Sequence, residues 1–236
     1  MSKNNVAVII PTFNESINIR ILLKKVFNSI PDASVFIIDD SSSDEHEKLK
    51  KEIKNSNVKL FKRQEKLGRG SAVIFGLKEA LKNKETKYFF EMDADLSHDP
   101  EEFHIFLEKM KSDNADLVVG TRYNGKGQIS DWPKNRLIKS KAANLFLKTV
   151  LGLDLTDYTT GYRLYSRRAA ELLVNVNFKT SGFILHSESA YRIKQNEFII
   201  TEVPIHFRNR VHGQSSIGSE KILESFFGIL KVRLSK

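Results

Sequence analysis

Lys87-Tyr88-Phe89-Phe90-Glu91-Met92-Asp93-Ala94-Asp95-Leu96-Ser97-His98-Asp99-Pro100 is the stretch whose reading decides the fold. An aromatic, extended run ends in two carboxylates one residue apart, Asp93 and Asp95, and a proline-initiated helical pattern follows at once. At strand spacing, residues two apart point to the same side of the backbone, so the two carboxylates converge. Convergent hard oxygens just past a strand suit Mg²⁺ or Mn²⁺, most usefully an ion that brings phosphate groups with it. The same pair also reads as a solvated acidic loop ahead of a helix whose N-terminus favours carboxylates. The surroundings of the stretch decide between the two.

Upstream, Val6-Ala7-Val8-Ile9-Ile10 is a wholly apolar, β-branched run, as in a strand buried on both faces of a parallel sheet. Pro11-Thr12-Phe13-Asn14-Glu15 breaks it, and apolar residues from Ser16 to Ile30 then fall mostly at helical spacing. Val35 to Ile38 forms a second strand that runs into Asp39-Asp40-Ser41-Ser42-Ser43-Asp44, a turn in which Asp40 and Asp44 read as capping residues for a charged helix beginning near Glu45. Val58 to Phe61 is a third strand; Gly68-Arg69-Gly70-Ser71 opens a helix through Leu81, its glycines permitting tight entry; Tyr88 to Met92 is the fourth strand. A helix over Phe103–Met110 and a strand over Asp116–Gly120 continue the alternation, which predicts a doubly wound α/β sheet, mostly parallel. Ligands of such sheets sit at the carboxyl ends of the strands. Pro11–Glu15, Asp39–Asp44, Asp93–Asp95 and Gly120-Thr121-Arg122 all fall at such ends, and four polar clusters on one rim favour a functional site.

Downstream of Arg122 the texture changes. Tyr123 to Trp132 is polar and carries Gly125 and Gly127, as a loop over a site would; Lys134 to Leu151 reads as a basic helix. Leu164-Tyr165 reads as a short extended piece, Arg167–Val174 and Ser187–Gln195 as helices, and Ile199–Phe207 as an edge or bent strand interrupted by Pro204. No repeat or linker divides the 236 residues. The economical division is one domain with a nucleotide-binding half over about 5–121, an acceptor-side half over about 122–218 and an amphipathic helix over 219–236. With 38 basic and 29 acidic residues the net charge of +9 calls for an anionic partner, and the absence of cysteine excludes disulfides, thiol nucleophiles and Cys-bound zinc. The histidines have no metal-binding spacing and read as structural or solvent-facing. The N-terminus is too short for a signal-peptide core, and no apolar run reaches the length of a membrane span.

In order along the chain, Pro11-Thr12-Phe13-Asn14-Glu15, Asp39 to Asp44, Gly68-Arg69-Gly70-Ser71-Ala72 and Asp93-Ala94-Asp95 resemble the family 2 glycosyltransferases with the GT-A, Rossmann-like fold. Gly120-Thr121-Arg122-Tyr123, Trp132 with Arg136 and Ser140, Thr160-Gly161-Tyr162-Arg163, and Val203-Pro204-Ile205 through Arg210, Gly213 and Ser215 look like its dolichol-phosphate (polyprenol-phosphate) mannosyltransferase branch. The match runs over roughly residues 5 to 218. It departs where Phe13 replaces a usual Tyr, where many relatives have Gln at Ser97, and where many have Lys at Ser216.

The resemblance implies metal-dependent, inverting transfer of a sugar from a nucleotide diphosphate to a dolichyl or polyprenyl phosphate, with GDP-mannose the favoured donor. Pro11, Phe13, Glu15, Asp39 and Asp93 would bind the nucleotide sugar, Asp39 by accepting hydrogen bonds from base or ribose. Asp93 and Asp95 would hold Mg²⁺ or Mn²⁺ on the diphosphate, Asp95 the better placed. A lipid phosphate is ionised at neutral pH and needs orientation rather than a strong base, a task for the two-pronged guanidinium groups of Arg122, Arg136 and Arg210. Glu188 lies near the place where hydroxyl-using relatives carry a catalytic carboxylate and is assigned a supporting role. The implied setting is the cytoplasm, at the cytoplasmic face of a membrane, with a small membrane partner subunit as one way of anchoring and no nucleic acid. Ser219–Lys236 reads equally as a helix in the lipid interface or one docked on the domain core. The alternative within the family is a donor of the UDP-glucose type or a sugar-hydroxyl acceptor, which would require a general base. Asp-x-Asp phosphatases place their pair after the first strand rather than the fourth, sugar nucleotidyltransferases want a glycine-rich loop where Pro11–Glu15 stands, and a basic binding module leaves the acidic rim unexplained.

Overall fold

A computed structural model describes residues 5–64, 68–180, 182, 184–209 and 228–234. Nine strands and seven α-helices follow one another as β1 (Val6–Thr12), α1 (Ser16–Ser29), β2 (Ser34–Asp39), α2 (Ser43–Glu52), β3 (Val58–Lys62), α3 (Arg69–Leu81), β4 (Tyr88–Glu91), a 3₁₀ turn (Pro100–Glu102), α4 (Phe103–Ser112), β5 (Leu117–Thr121), β6 (Gln128–Ile129), α5 (Lys134–Leu151), β7 (Arg163–Ser166), α6 (Arg167–Leu173), α7 (Leu185–Gln195), β8 (Ile200–Pro204) and β9 (His206–Phe207) among the described residues. Residues 228–234 are also helical.

Seven strands form one sheet in the order β3-β2-β1-β4-β7-β5-β8. Every pairing is parallel except those of β7, which runs antiparallel between β4 and β5. The sheet is mostly parallel, as expected, with one antiparallel strand at its centre. Leu164 and Tyr165, which read only as a short extended piece, lie within the strand that joins the two halves. Successive strand residues alternate between faces. Val8, Ile10, Val35, Ile37 and Phe90 pack with Ile19, Leu22 and Val26 of α1 and Phe103, Phe106 and Met110 of α4. Ile9, Phe36, Ile38 and Phe89 pack on the other side with α3, α6 and α7, together with Ile229 and Val232. Burial on both faces explains why these strands carry no polar alternation.

β8 is an edge strand, and the chain bends at Ile205 so that β9 leaves the main sheet and pairs with the two-residue β6. The cap of α2 is Ser42, which accepts from the Glu45 N–H, with Asp44 in the first turn. Asp40 does not cap: both its oxygens accept from Arg63, 2.6 Å from Nε and 2.5 Å from Nη2. A guanidinium fork outcompetes a single backbone N–H for a carboxylate. Gly68, at φ 88°, makes the tight entry to α3. None of the described helices is long and apolar enough to cross a membrane.

Candidate functional site at the carboxyl ends of the strands

The register aligns Thr12 of β1 with Asp39 of β2, and Ile9 with Glu91 of β4, so the polar clusters of these strands share one rim. Asp39 is fully buried. Its Oδ1 accepts from the hydroxyls of Thr12 (3.0 Å) and Ser41 (2.5 Å) and from the Ser41 N–H (3.2 Å), while Oδ2 lies 2.7 Å from His46 Nδ1. Asp39 is thus braced from within the rim by these four contacts. Phe13 and Glu15 lie above it. Phe13 is 40% exposed, and Glu15 accepts from Asn18 Nδ2 at 2.7 Å. Asn14 between them has φ 60° and donates its N–H to Ser41 Oγ at 2.7 Å, which fixes the turn. Pro11 is half-buried beside Ile38.

β4 ends at Glu91, two residues short of Asp93, so the acidic pair sits in a bend and not on strand spacing. Each carboxylate has its own partner. Asp93 Oδ1 accepts from Arg69 Nε at 2.6 Å; Asp95 Oδ1 accepts from the Ser97 hydroxyl at 2.6 Å and its N–H at 3.1 Å. Burial works to raise the Asp93 carboxyl, but the Arg69 guanidinium outweighs it and holds the group below the usual carboxylate range. Leu96 adopts φ 64° in the turn, and His98 Nδ1 accepts the Asp93 N–H at 3.1 Å. That bond requires the Nε2–H tautomer. Burial pushes the His98 imidazole below its ordinary value despite Asp93 and Asp95, so it acts as a neutral brace, stacked on Tyr162 at 4.8 Å. Beside the turn lies an open cleft of about 460 Å³ lined by Lys25, Leu96, His98, Ser130, Asp131, His206, Arg208 and Asn209.

Sequence reasoning missed the group behind Asp93. Arg69 also pairs through Nη1 with Glu91 and touches His186. Glu91 is fully buried, lies 2.6 Å from His186 Nε2 and accepts from Tyr165 OH at 2.8 Å. Burial alone would raise the Glu91 carboxyl; His186 and Arg69 overcome it and drive the group far below its usual range. The available signal was an acid inside an apolar strand, for which a buried partner is obligatory.

Farther along the sheet, Arg122 at the end of β5 is 8% exposed and bidentate to the fully buried Asp157, through Nε at 2.6 Å and Nη2 at 2.8 Å. Nη2 also donates to Thr159 at 2.9 Å. Burial raises the Asp157 carboxyl, and Arg122 more than reverses it. Asp157 in turn belongs to a loop held by Glu202 of β8, which accepts the N–H groups of Thr156 (2.9 Å) and Asp157 (3.1 Å). Arg136, from the first turn of α5, stacks over Trp132 at 3.8 Å and donates to Asn209 Oδ1 at 3.2 Å. Arg122 also neighbours that indole, 5.3 Å from the ring centroid. Arg122 and Arg136 are therefore brought together around Trp132; Arg210 lies outside the described residues.

Glu188 is fully buried and accepts from the N–H groups of Lys179 (3.0 Å) and Thr180 (2.9 Å), the Thr180 hydroxyl (2.8 Å) and Arg192 (3.2 Å). It fastens a loop and does not face an acceptor. Of the C-terminal segment, Ile229 and Val232 are buried in the core and Arg233 donates to Tyr191 OH at 3.0 Å, while Leu230 and Leu234 stay exposed. Where described, that helix is docked on the domain; Ser219 to Phe227 lie outside the described residues.

The described residues hold no cluster of three or more metal-ligating side chains. Asp93 and Asp95 nevertheless fit a hard cation that draws its remaining ligands from substrate phosphates and water, as Mg²⁺ and Mn²⁺ in nucleotide sites do.

Residues 7–173 match the family described as Glycosyl transferase family 2. The polyprenol monophosphomannose synthase of Mycolicibacterium smegmatis is 33% identical over 225 residues, covering 94% of this chain and 84% of that protein. The undecaprenyl-phosphate mannosyltransferase of Micrococcus luteus is 31% identical over 228 residues, covering 96% and 93%. Among solved structures, glucosyl-3-phosphoglycerate synthase of Mycobacterium tuberculosis, in complex with Mn²⁺, UDP and phosphoglyceric acid, superposes with a TM-score of 0.67 at 17% identity, covering 98% of this chain and 78% of that one.

Proposed function

Because the chain belongs to glycosyl transferase family 2, we propose that it transfers mannose from a nucleotide diphosphate donor, GDP-mannose, to a polyprenyl or dolichyl phosphate with inversion. The observation that carries this reading is the pairing of two unlike faces on one rim: carboxylates at the ends of β1, β2 and β4, and arginines at the end of β5 and the start of α5. The relatives named for polyprenol and undecaprenyl-phosphate mannosyl transfer support the acceptor class and the sugar. The neighbour solved with Mn²⁺ and UDP supports a divalent ion on a nucleotide diphosphate.

The donor half is residues 5–121 and the acceptor half 122–218. Exposed Phe13 offers an apolar face to the base, Glu15 and Pro11 border it, and Asp39 keeps the rim in shape. Asp93 and Asp95 are the residues that would hold Mg²⁺ or Mn²⁺, which when bound neutralises the diphosphate as the sugar–phosphate bond breaks. Arg122 and Arg136, with Arg210, hold the lipid phosphate so that one oxygen faces the anomeric carbon. That oxygen forms the new bond as the bond to the diphosphate breaks, and no side-chain base accepts a proton because the phosphate arrives ionised. The burial and full engagement of Glu188 support this reading over a hydroxyl acceptor. A lipid acceptor also entails peripheral contact with the cytoplasmic face of a membrane, with an anchoring partner subunit as one route.

The test is a thermal-shift panel of GDP, UDP and their sugar conjugates with and without Mn²⁺, followed by turnover on a polyprenyl phosphate with the product anomer determined. A β-linked mannosyl phosphate from GDP-mannose is the expected result. Stabilisation by UDP-glucose alone would replace the donor.

A further inference from the structure

The Arg69 guanidinium is placed where nothing in a simple pair of metal-binding aspartates requires it. It leaves the first turn of α3, spans the end of β4 and binds Asp93 through Nε at 2.6 Å, while Nη1 is held by Glu91 and His186. Glu91 is fully buried, so this arm of the fork is anchored by a carboxylate that cannot be left unpaired at low cost. Space has also been made for the group. A Cβ on Gly161 would overlap the guanidinium, whose Nη2 rests 3.4 Å from the Gly161 carbonyl oxygen. The side chains of Arg69 and Asp93 remain 24% and 30% exposed, so the pair faces the rim instead of being sealed beneath it.

We propose that Arg69 is a positioning residue of the donor site, a resident cation that keeps Asp93 in an ion pair and so weakens the hold of the bare protein on the divalent ion. This rests on the glycosyltransferase reading. The charge of Asp93 is already neutralised by the guanidinium. A dication approaching Asp93 meets a guanidinium within contact distance of the same carboxylate, and like charges at such range repel strongly in a partly buried setting. The donor's diphosphate, arriving with the ion, supplies the negative charge that lets cation and guanidinium lie side by side. Arg69 thereby makes the bare protein a poor metal binder and couples metal retention to the nucleotide. Gly161 belongs to the same device, because only a residue without a side chain admits the guanidinium.

The experiment titrates Mn²⁺ alone into the full chain, reading free Mn²⁺ by electron paramagnetic resonance, for the native protein and for Arg69→Met, Arg69→Lys and Gly161→Ala. Arg69→Met frees Asp93 and tightens Mn²⁺ binding about tenfold. Gly161→Ala, which displaces the guanidinium without altering either charge, tightens it in the same direction and keeps the test decisive if Arg69→Met does not fold. Arg69→Lys stays close to native affinity. Unchanged affinity in both Arg69→Met and Gly161→Ala overturns the proposal. No nucleotide enters these titrations. Failure of the native protein to bind GDP or UDP with Mn²⁺ would instead sink the donor-site reading and leave the Arg69 result standing.

Discussion

The donor rim and the acceptor side hold their charged groups in opposite ways. At the ends of β1, β2 and β4 the acids are the groups to be held: Asp39 is braced by Thr12, Ser41 and His46, Asp93 by Arg69, and Asp95 by Ser97. On the acceptor side cations are held. Arg122 is clamped by a buried acid and Arg136 lies on an aromatic face with a neutral amide partner. The difference teaches which groups are structural and which are offered to ligand. A charge sealed in a fully buried pair shapes the site, whereas one at the rim can meet a substrate. On this view Asp157 belongs to the scaffold, and Asp95 and Arg136 are the proposed groups of the chemistry.

The largest effect that would break this division is at Asp95. Asp95→Asn keeps the size of the side chain and its acceptor oxygen toward Ser97 but removes the charge that would face a divalent ion. Turnover should fall by a factor on the order of 10² to 10³, as for loss of a principal electrostatic group. The melting temperature should stay close to native. A large drop in melting temperature at unchanged residual turnover would make Asp95 scaffold after all.

Asp157→Ala tests the other side. It strands the Arg122 guanidinium, 8% exposed, without its bidentate partner. Breaking a buried pair from one side costs roughly 3–5 kcal/mol, so denaturant unfolding should show a loss of that order along with impaired turnover. Stability within about 1 kcal/mol of native would show that Arg122 can turn outward, and would move it from clamp to freely offered ligand.

Arg136→Ala should do the reverse. Its guanidinium donates to Asn209 at 3.2 Å and stacks on Trp132, and neither of these contacts is a buried pair. Little stability is at stake. Losing one charge-assisted contact to a phosphate amounts to roughly 1.5 kcal/mol, an increase in KM for the lipid phosphate of about tenfold at nearly constant kcat. An unchanged KM for the lipid with a raised KM for the nucleotide sugar would transfer Arg136 to the donor half.

These contrasts also explain what could be read from the chain beforehand. The donor rim was legible because its groups end or closely follow their strands, so that strand period and turn chemistry announce them: Pro11 as the last residue but one of β1, Asp39 as the last residue of β2, the acidic pair just beyond β4. The boundaries of α5, Lys134–Leu151, came directly from its periodicity. What escaped depends on contacts distant in sequence. Arg69 and Asp93 are 24 positions apart, Glu91 and His186 are 95 apart, and Arg122 and Asp157 are 35 apart. β7, antiparallel at the sheet's centre, has a four-residue pattern too short to reveal its direction. The partners of Asp39 escaped for a related reason. A carboxylate at a strand end has the same sequence signature whether or not residues such as Thr12 and His46 hold it.

The smallest effect concerns the seam between the two regions. Glu102, in the 3₁₀ turn that follows the Asp93–Asp95 bend, accepts the His206 N–H at 2.8 Å through Oε1, while its buried Oε2 has no partner among the described residues. Burial pushes this carboxyl up to about 7, against the pull of the His206 N–H and with a further push from Asp99. Between the ordinary glutamate range and neutrality the folded chain therefore holds a proton that the unfolded chain has released. Stability contributed by that proton is complete at mildly acid pH and declines as pH rises toward and through 7. The group is half-buried, and solvent screening limits the effect to about 1 kcal/mol. Glu102→Gln places a permanent neutral group in the same turn, so its melting temperature should lose less than the native protein's between pH 5 and pH 8. A native profile that is flat across that window, or one that rises and is matched by the variant, would show that Glu102 is ionised in the fold and that another cation reaches Oε2.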